Sequence, residues 1–217
     1  MTLEFDGIQF QYSENPLLSG VYVKCETGRI VGLLGRNGSG KSTLLRIVFG
    51  SLRSDVKSVR IDGKYLNAPV FSSRTVSYLP QDNLIPSYLT LRQALKLYKI
   101  PFERIETNFP ELREFLHYRK DMLPGGITRL FENLVILYSP SHFCFFDEPF
   151  SGLAPVMVDR LIDCMLSEKN HKGMLITDHL YRYVTNVSDD LYVLANGMTY
   201  RVNDKNDLIR RGYLADG

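Results

Sequence analysis

Nine consecutive residues carry the clearest chemistry in this chain. Gly35, Arg36, Asn37, Gly38, Ser39, Gly40, Lys41 and Ser42 match the pattern G-x-x-x-x-G-K-[ST] at every fixed position, and Thr43 follows. Glycines at these places let successive backbone N–H groups turn inward, and a helix N-terminus behind them adds partial positive charge. Such a loop is an anion cradle. Lys41 is placed to bridge the β- and γ-phosphates of a nucleotide, and Ser42 to set its hydroxyl on Mg²⁺. The second group is acidic. Phe143, Cys144, Phe145 and Phe146 form an apolar run that ends in Asp147 and Glu148. In a parallel sheet the carboxyl ends of strands line the ligand crevice. Asp147 is therefore expected to hold Mg²⁺ beside the phosphate loop, and Glu148 to polarise an attacking water.

These groups need a scaffold, and the hydrophobic pattern supplies one. The run 30–34 is apolar throughout, as in a strand buried on both faces, and leads into the glycine loop. A helix is predicted over 41–49, with Gly50 at its C-terminal end. Alternating residues predict a strand over 3–12, with Asp6-Gly7 marking a turn or bulge. Further strands are predicted over 18–24, 56–61, 75–79, 143–146 and 173–177. Residues 82–139 read as helical, with Leu91, Ala94, Leu95 and Tyr98 on one face and prolines at 101 and 110. A helix over 155–166 follows. Strands 190–195 and 198–202 should form a hairpin around Asn196-Gly197, a type I′ turn signal. A short helix over 204–211 closes the chain, with Asp204 near its start. Strands alternating with helices predict an α/β fold: a phosphate-loop core with a mainly parallel sheet, an N-terminal antiparallel β portion and a short inserted α-helical subdomain. The core would comprise residues 1–81 and 140–217, and the insert residues 82–139.

Composition narrows the function. A net charge of +2 over 217 residues gives no bulk attraction to nucleic acid, and the basic residues are dispersed. Cys25, Cys144 and Cys164 are too few, and odd in number, for a disulfide framework; the last two lie in apolar runs, which fits a reducing cytosol. No apolar stretch approaches the roughly 20 residues that a membrane span needs. The first ten residues carry no basic group and are not expected to be a signal peptide. Any path across a membrane is expected in another polypeptide.

An ordered set of landmarks resembles the ATP-binding cassette (ABC) family. Tyr12 lies 29 positions before Lys41, where the family has an aromatic that stacks on adenine. Gln81, in Tyr78-Leu79-Pro80-Gln81-Asp82, resembles the glutamine that contacts Mg²⁺ or water and senses the membrane partner. Leu123-Pro124-Gly125-Gly126-Ile127 stands where the family has its Leu-Ser-Gly-Gly-Gln signature, and ends 20 positions before Asp147. Pro149 and Ser151-Gly152-Leu153 continue the usual run. Thr177-Asp178-His179 resembles the switch-histidine segment. The resemblance implies catalytic roles for Glu148, His179, Lys41 and Gln81. It implies nucleotide contacts from Tyr12, the loop 35–43, Gly125 and Gly126, and Mg²⁺ contacts from Ser42, Gln81 and Asp147. It implies ATP and Mg²⁺ as cofactors, a transmembrane permease subunit and a second ABC ATPase subunit as partners, and no nucleic acid. Two cassettes would close head-to-tail over two ATP molecules, from a cytoplasmic position on the inner face of the cell membrane.

The pattern departs from the family at two places. Pro124 replaces the signature serine and Ile127 its glutamine. Proline offers neither hydroxyl nor N–H, and losing one hydrogen bond to a charged group is worth roughly 1.5–3 kcal/mol. Ala154 stands where the family has an aspartate that helps the two sites communicate. The segment between Gln81 and Leu123 is also short, at 41 residues. These departures predict pairing with a different cassette whose signature is intact; the rival is a homodimer with two slow sites. The alternatives to a transport subunit are a non-transport ABC ATPase and an ATP-binding regulatory subunit with weak turnover.

Overall fold

The computed structural model describes residues 1–12, 14–54 and 56–214. Alternation makes the first strand, β1 (Thr2–Tyr12), one-sided: Leu3, Phe5 and Ile8 are buried. Gly7 takes φ +60°, and the ladder slips between Asp6 and Gln9, so the Asp6-Gly7 signal is a bulge. β2 (Asn15–Leu18) and β3 (Tyr22–Glu26) both pair antiparallel with β1. The single strand expected over 18–24 is thus two strands. At the break, the N–H groups of Ser19 and Gly20 donate to the Gly197 carbonyl, at 2.8 and 3.2 Å. A hairpin far along the chain takes these donors, so the ladder on β1 stops there.

β4 (Ile30–Leu34) is buried at every position and runs into the glycine loop, which opens α1 (Lys41–Phe49). Gly50 ends α1 in the left-handed conformation, φ +99°. β5 (Val56–Ile61) pairs with β1, and β6 (Lys64–Tyr65) with β5, completing an antiparallel sheet. β7 (Val76–Leu79) begins the return to the larger sheet. α2 (Leu91–Tyr98) starts at a capping box between Thr90 and Gln93 and buries Leu91, Ala94 and Leu95. α3 (Glu103–Glu106) and two 3₁₀ turns lead to α4 (Gly125–Tyr138). Next come β8 (Phe143–Asp147), α5 (Pro155–Glu168), β9 (Gly173–Thr177) and α6 (Tyr181–Val187). β10 (Asp190–Ala195) and β11 (Met198–Arg201) form the hairpin, with Asn196 and Gly197 both at positive φ as a type I′ turn requires. α7 (Lys205–Arg210) is capped by Asp204, which accepts from the Asp207 N–H at 3.0 Å.

The larger sheet has the order β11-β10-β4-β9-β8-β7, and every pair except β10–β11 is parallel. Its two faces bury separate apolar clusters. On β8, Phe143 and Phe145 pack with α1 and the antiparallel sheet, while Cys144 and Phe146 pack with α4 and α5. The second cluster runs on into residues 85–116, so the helical stretch shares a continuous core with the sheet. All three cysteines are free and buried, and burial pushes each thiol up.

Both departures from the family pattern stand at helix starts. Pro124 is the residue before α4, and Ala154 the residue before α5; neither side chain can accept from the first-turn N–H groups. Ala154→Asp is expected to raise the unfolding free energy by about 0.5–2 kcal/mol, read by urea titration. Gly32→Ala is expected to lower it by about 1–3 kcal/mol. A Cβ on Gly32 would lie 2.6 Å from Ser188 Oγ and 2.7 Å from both Leu191 Cδ1 and Val184 Cγ1.

Candidate active site

β4, β9, β8 and β7 are consecutive neighbours and parallel, so their carboxyl ends share one edge of the sheet. β4 delivers the loop 35–42, β8 ends at Asp147, and β9 ends at Thr177 before Asp178 and His179. β7 ends just before Pro80 and Gln81. Residues more than a hundred positions apart meet for this reason alone.

In the loop, Gly38 and Gly40 take φ +78° and +101°, values that favour glycine. Gly40 has no side chain to cap α1, so the helix presents its first N–H groups to the cavity. The Lys41 ammonium folds over the loop and donates to the carbonyls of Gly35, at 2.8 Å, and Arg36, at 3.3 Å. Burial draws its ionisation down, while the carboxylates of Glu148, Asp147 and Asp178 pull it up.

Asp147 is 1% exposed. Three hydroxyls hold its carboxylate. Ser42 Oγ donates to Oδ1 at 3.1 Å, Thr177 Oγ1 donates to Oδ1 at 2.7 Å, and Tyr78 OH donates to Oδ2 at 3.1 Å. Thr177 arrives there because it pairs with Asp147 across the β8–β9 ladder. Burial pushes the Tyr78 phenol up, so it stays a donor. Asp178 is buried too and accepts from the N–H groups of Phe150 and Leu180, at 3.1 and 2.8 Å. Glu148 turns the other way, into the cavity. Gln81 Nε2 donates to its Oε2 at 3.2 Å, and His179 Nδ1 stands 3.7 Å from the same oxygen.

A cavity of about 640 Å³ is lined by Tyr12, Leu17, Asn37, Gly38, Gly40, Lys41, Ser42, Thr43, Gln81, Glu148 and His179. Tyr12 is half-exposed at its mouth, edge-on to Phe10 with ring centroids 4.8 Å apart. Gly35 and Arg36 enter through the carbonyls that hold Lys41. The Arg36 and Ser39 side chains lie behind the loop, near Arg211 and Tyr213. Gly125 lies in a neighbouring groove of about 920 Å³ with Asp121, Ser151 and Gly152; Gln81 and Glu148 reach both spaces. Gly126 packs against the Gly152 carbonyl, 3.1 Å from where a Cβ would sit. The signature glycines therefore do not join this chain's own phosphate loop.

The cavity fits a nucleotide polyphosphate: a cradle of N–H groups and one ammonium on one wall, an aromatic ring at the mouth. Ser42, Asp147 and Gln81 offer hard oxygens beside the cradle, which is the donor set that Mg²⁺ takes together with phosphate. Motif reading did not single out the hydroxyls of Tyr78 and Thr177, nor Arg129, whose guanidinium reaches the carbonyls of Pro80, Asp147 and Glu148. A polar residue at the end of a buried strand is the signal available for the first two. Tyr78→Phe removes one donor to a buried carboxylate and is expected to cost about 1.5–3 kcal/mol of stability, measured by chemical denaturation.

Comparisons with known proteins converge on this region. The family described as ABC transporter matches residues 18–151. The lipopolysaccharide export system ATP-binding protein LptB of Haemophilus influenzae is 31% identical over 210 residues, covering 90% of this chain and 87% of that protein. The high-affinity branched-chain amino acid transport ATP-binding protein BraG of Pseudomonas aeruginosa is 26% identical, covering 90% and 89%. Among solved structures, an ATP-binding subunit of an ABC transporter superposes with a TM-score of 0.83 at 23% identity, covering 100% of this chain and 96% of that one. A bacterial Atm1-family ABC exporter with ATP bound gives 0.82 at 20% identity, covering 97% of this chain and 40% of the exporter chain. The match of 18–151 starts on β2 and ends in the turn after Glu148, taking in the phosphate loop, Gln81 and Glu148, and the chain belongs to the ABC transporter family as one of its ATP-binding cassette ATPases.

Proposed function

We propose that this chain is the ATP-hydrolysing subunit that powers transport through a separate membrane protein. The observation that carries this reading is the convergence of Gln81, Glu148 and His179 on the cavity that Lys41 and Ser42 line. In it, the N–H groups of the loop 35–43 and Lys41 hold the phosphates, and Tyr12 stacks on the base. Ser42, Asp147 and Gln81 would hold Mg²⁺, which when bound would neutralise charge on the phosphates. Glu148 takes a proton from the attacking water, and His179 orients that water and the γ-phosphate. His179 is half-exposed and rests near Asp178 Oδ1, at 3.5 Å, free to swing toward a phosphate.

No helix of the described residues is long and apolar enough to cross a membrane. The relatives are named for different cargoes, lipopolysaccharide for one and branched-chain amino acids for the other, in keeping with a cargo path that lies in another chain. Residues 82–139 are our candidate for the insert that meets that membrane subunit. The core of 1–81 and 140–217 carries the chemistry, at the inner face of the membrane.

Gly125 opens away from the chain's own phosphate loop, which suits a signature that acts on a second cassette's nucleotide. With Pro124 in place of serine, that act is weakened, so we favour a heteromeric pair. This subunit's site is completed by an intact signature from its partner. The partner's site faces Pro124 and turns over slowly.

Isothermal titration with Mg-ATP tests the site. Lys41→Ala is expected to weaken binding by at least about tenfold. Glu148→Gln is expected to keep binding while cutting turnover by about 10²–10⁴-fold. Turnover by Glu148→Gln at the normal rate would overturn the assignment. For the pairing, the purified chain alone should hydrolyse ATP slowly. Brisk hydrolysis by it would sink the asymmetric arrangement and favour a homodimer.

A further inference from the structure

Glu148 is one of five described non-glycine residues at positive φ, at +54°. A residue in that conformation persists only where its surroundings over-determine it, and such residues gather at active sites. Both peptide groups of Glu148 are held. Its N–H donates to the Thr177 carbonyl at 2.7 Å. Its carbonyl accepts from Arg129 Nη2 at 3.0 Å, and from the Ser151 N–H at 3.3 Å. The same guanidinium donates Nη2 to the Asp147 carbonyl and Nη1 to the Pro80 carbonyl, the latter at 2.9 Å.

We propose that Arg129 is a positioning residue for hydrolysis: one guanidinium ties the backbone before Gln81 to the backbone of Asp147 and Glu148, and so holds the Gln81–Glu148 pair in place. The inference rests on the role assigned above to Glu148. Pro80 precedes Gln81 in the chain, so the guanidinium spans the peptide groups on either side of the 3.2 Å contact between Gln81 Nε2 and Glu148 Oε2. A planar fork with five donors can reach three carbonyls at once, whereas an ammonium is a single point. The fork is braced from behind. Glu132, one turn along α4, lies 3.8 Å from Nη1. Glu132 is itself fixed by Lys120 at 3.1 Å and by the N–H groups of Leu84 and Ile85 at 3.0 and 3.1 Å. The Arg129 side chain is 12% exposed, so little water can stand in for these partners.

α4 starts at Gly125 and carries Arg129 one turn later. The helix that offers its N-terminus to a second cassette thus also fixes this chain's own Glu148. A tilt of α4 on dimer closure would reach the water-activating carboxylate through this one side chain.

The test compares Arg129→Met, Arg129→Lys and Glu148→Gln with the unaltered full chain. The readouts are the Mg-ATP dissociation constant, the single-turnover hydrolysis rate, and the Glu148 backbone angle in crystals of the variants. Arg129→Met is expected to slow hydrolysis by about 100-fold, near the lower range for a lost general base. Its dissociation constant should stay within about threefold. Glu148 should leave the left-handed region. Arg129→Lys should lose only about tenfold, because an ammonium recovers part of the contact. Binding and hydrolysis falling by one common factor would overturn the proposal, as would hydrolysis within about threefold of the unaltered chain. Should Arg129→Met fail to fold, Arg129→Lys carries the same comparison. Normal turnover by Glu148→Gln would instead sink the functional reading, and the Glu148 angle in the Arg129 variants would then decide the positioning by itself.

Discussion

Asp147 stands opposite Thr177 in the parallel ladder of β8 and β9, and that pairing sets the geometry of the whole catalytic edge. A slip of one residue would turn every side chain of β8 to the other face of the sheet. Phe143 and Phe145 would exchange clusters with Cys144 and Phe146, and Asp147 would point away from the phosphate loop. The apolar pattern of β8 therefore guards the position of its one charged residue. Asp147 is also buried, and a buried carboxylate without partners costs several kcal/mol. Hydroxyls from β7, β9 and α1 meet it, so the same contacts that keep the charge soluble in the fold also bring three elements to one point.

What the sequence disclosed was local, and what it withheld was long-range. The glycine loop, the apolar strands and the Asn196-Gly197 turn are written in contiguous residues, and each is found where its pattern placed it. The family landmarks are legible as well, although relatives such as BraG are only 26% identical. The break between β2 and β3 is not local. It depends on Gly197 and on Thr199, whose hydroxyl accepts from the Tyr22 N–H 177 positions away. Tyr78 and Arg129 look ordinary for the same reason. Nothing within ten residues of Arg129 says that its guanidinium ends on three carbonyls at the ends of two strands.

Pro124 and Ala154 look like separate losses in the sequence but adjoin in the fold. Gly126, at the start of α4, packs on the Gly152 carbonyl, just before α5 begins. Both helices lack a side-chain acceptor at their first turn. In an isolated domain such a change costs stability and little else. Here both unfilled positions border the groove shared by Gly125, Ser151 and Gly152.

The charges around the cavity also bear on what a cation would do there. One wall is positive, with the helix N-terminus and the Lys41 ammonium. The other carries Glu148, with the buried Asp147 and Asp178 close enough to act on Lys41. A polyphosphate drawn to the first wall brings its own charge toward the second, and like charges in a partly buried cleft are poorly screened. The ammonium alone cannot offset both, since it already balances the carboxylates around it. On the reading proposed above, a divalent ion would offset that charge, and Ser42 and Asp147 would hold it. On the same reading Glu148 would act on water, and its contact with Gln81 keeps its carboxylate on the cavity side.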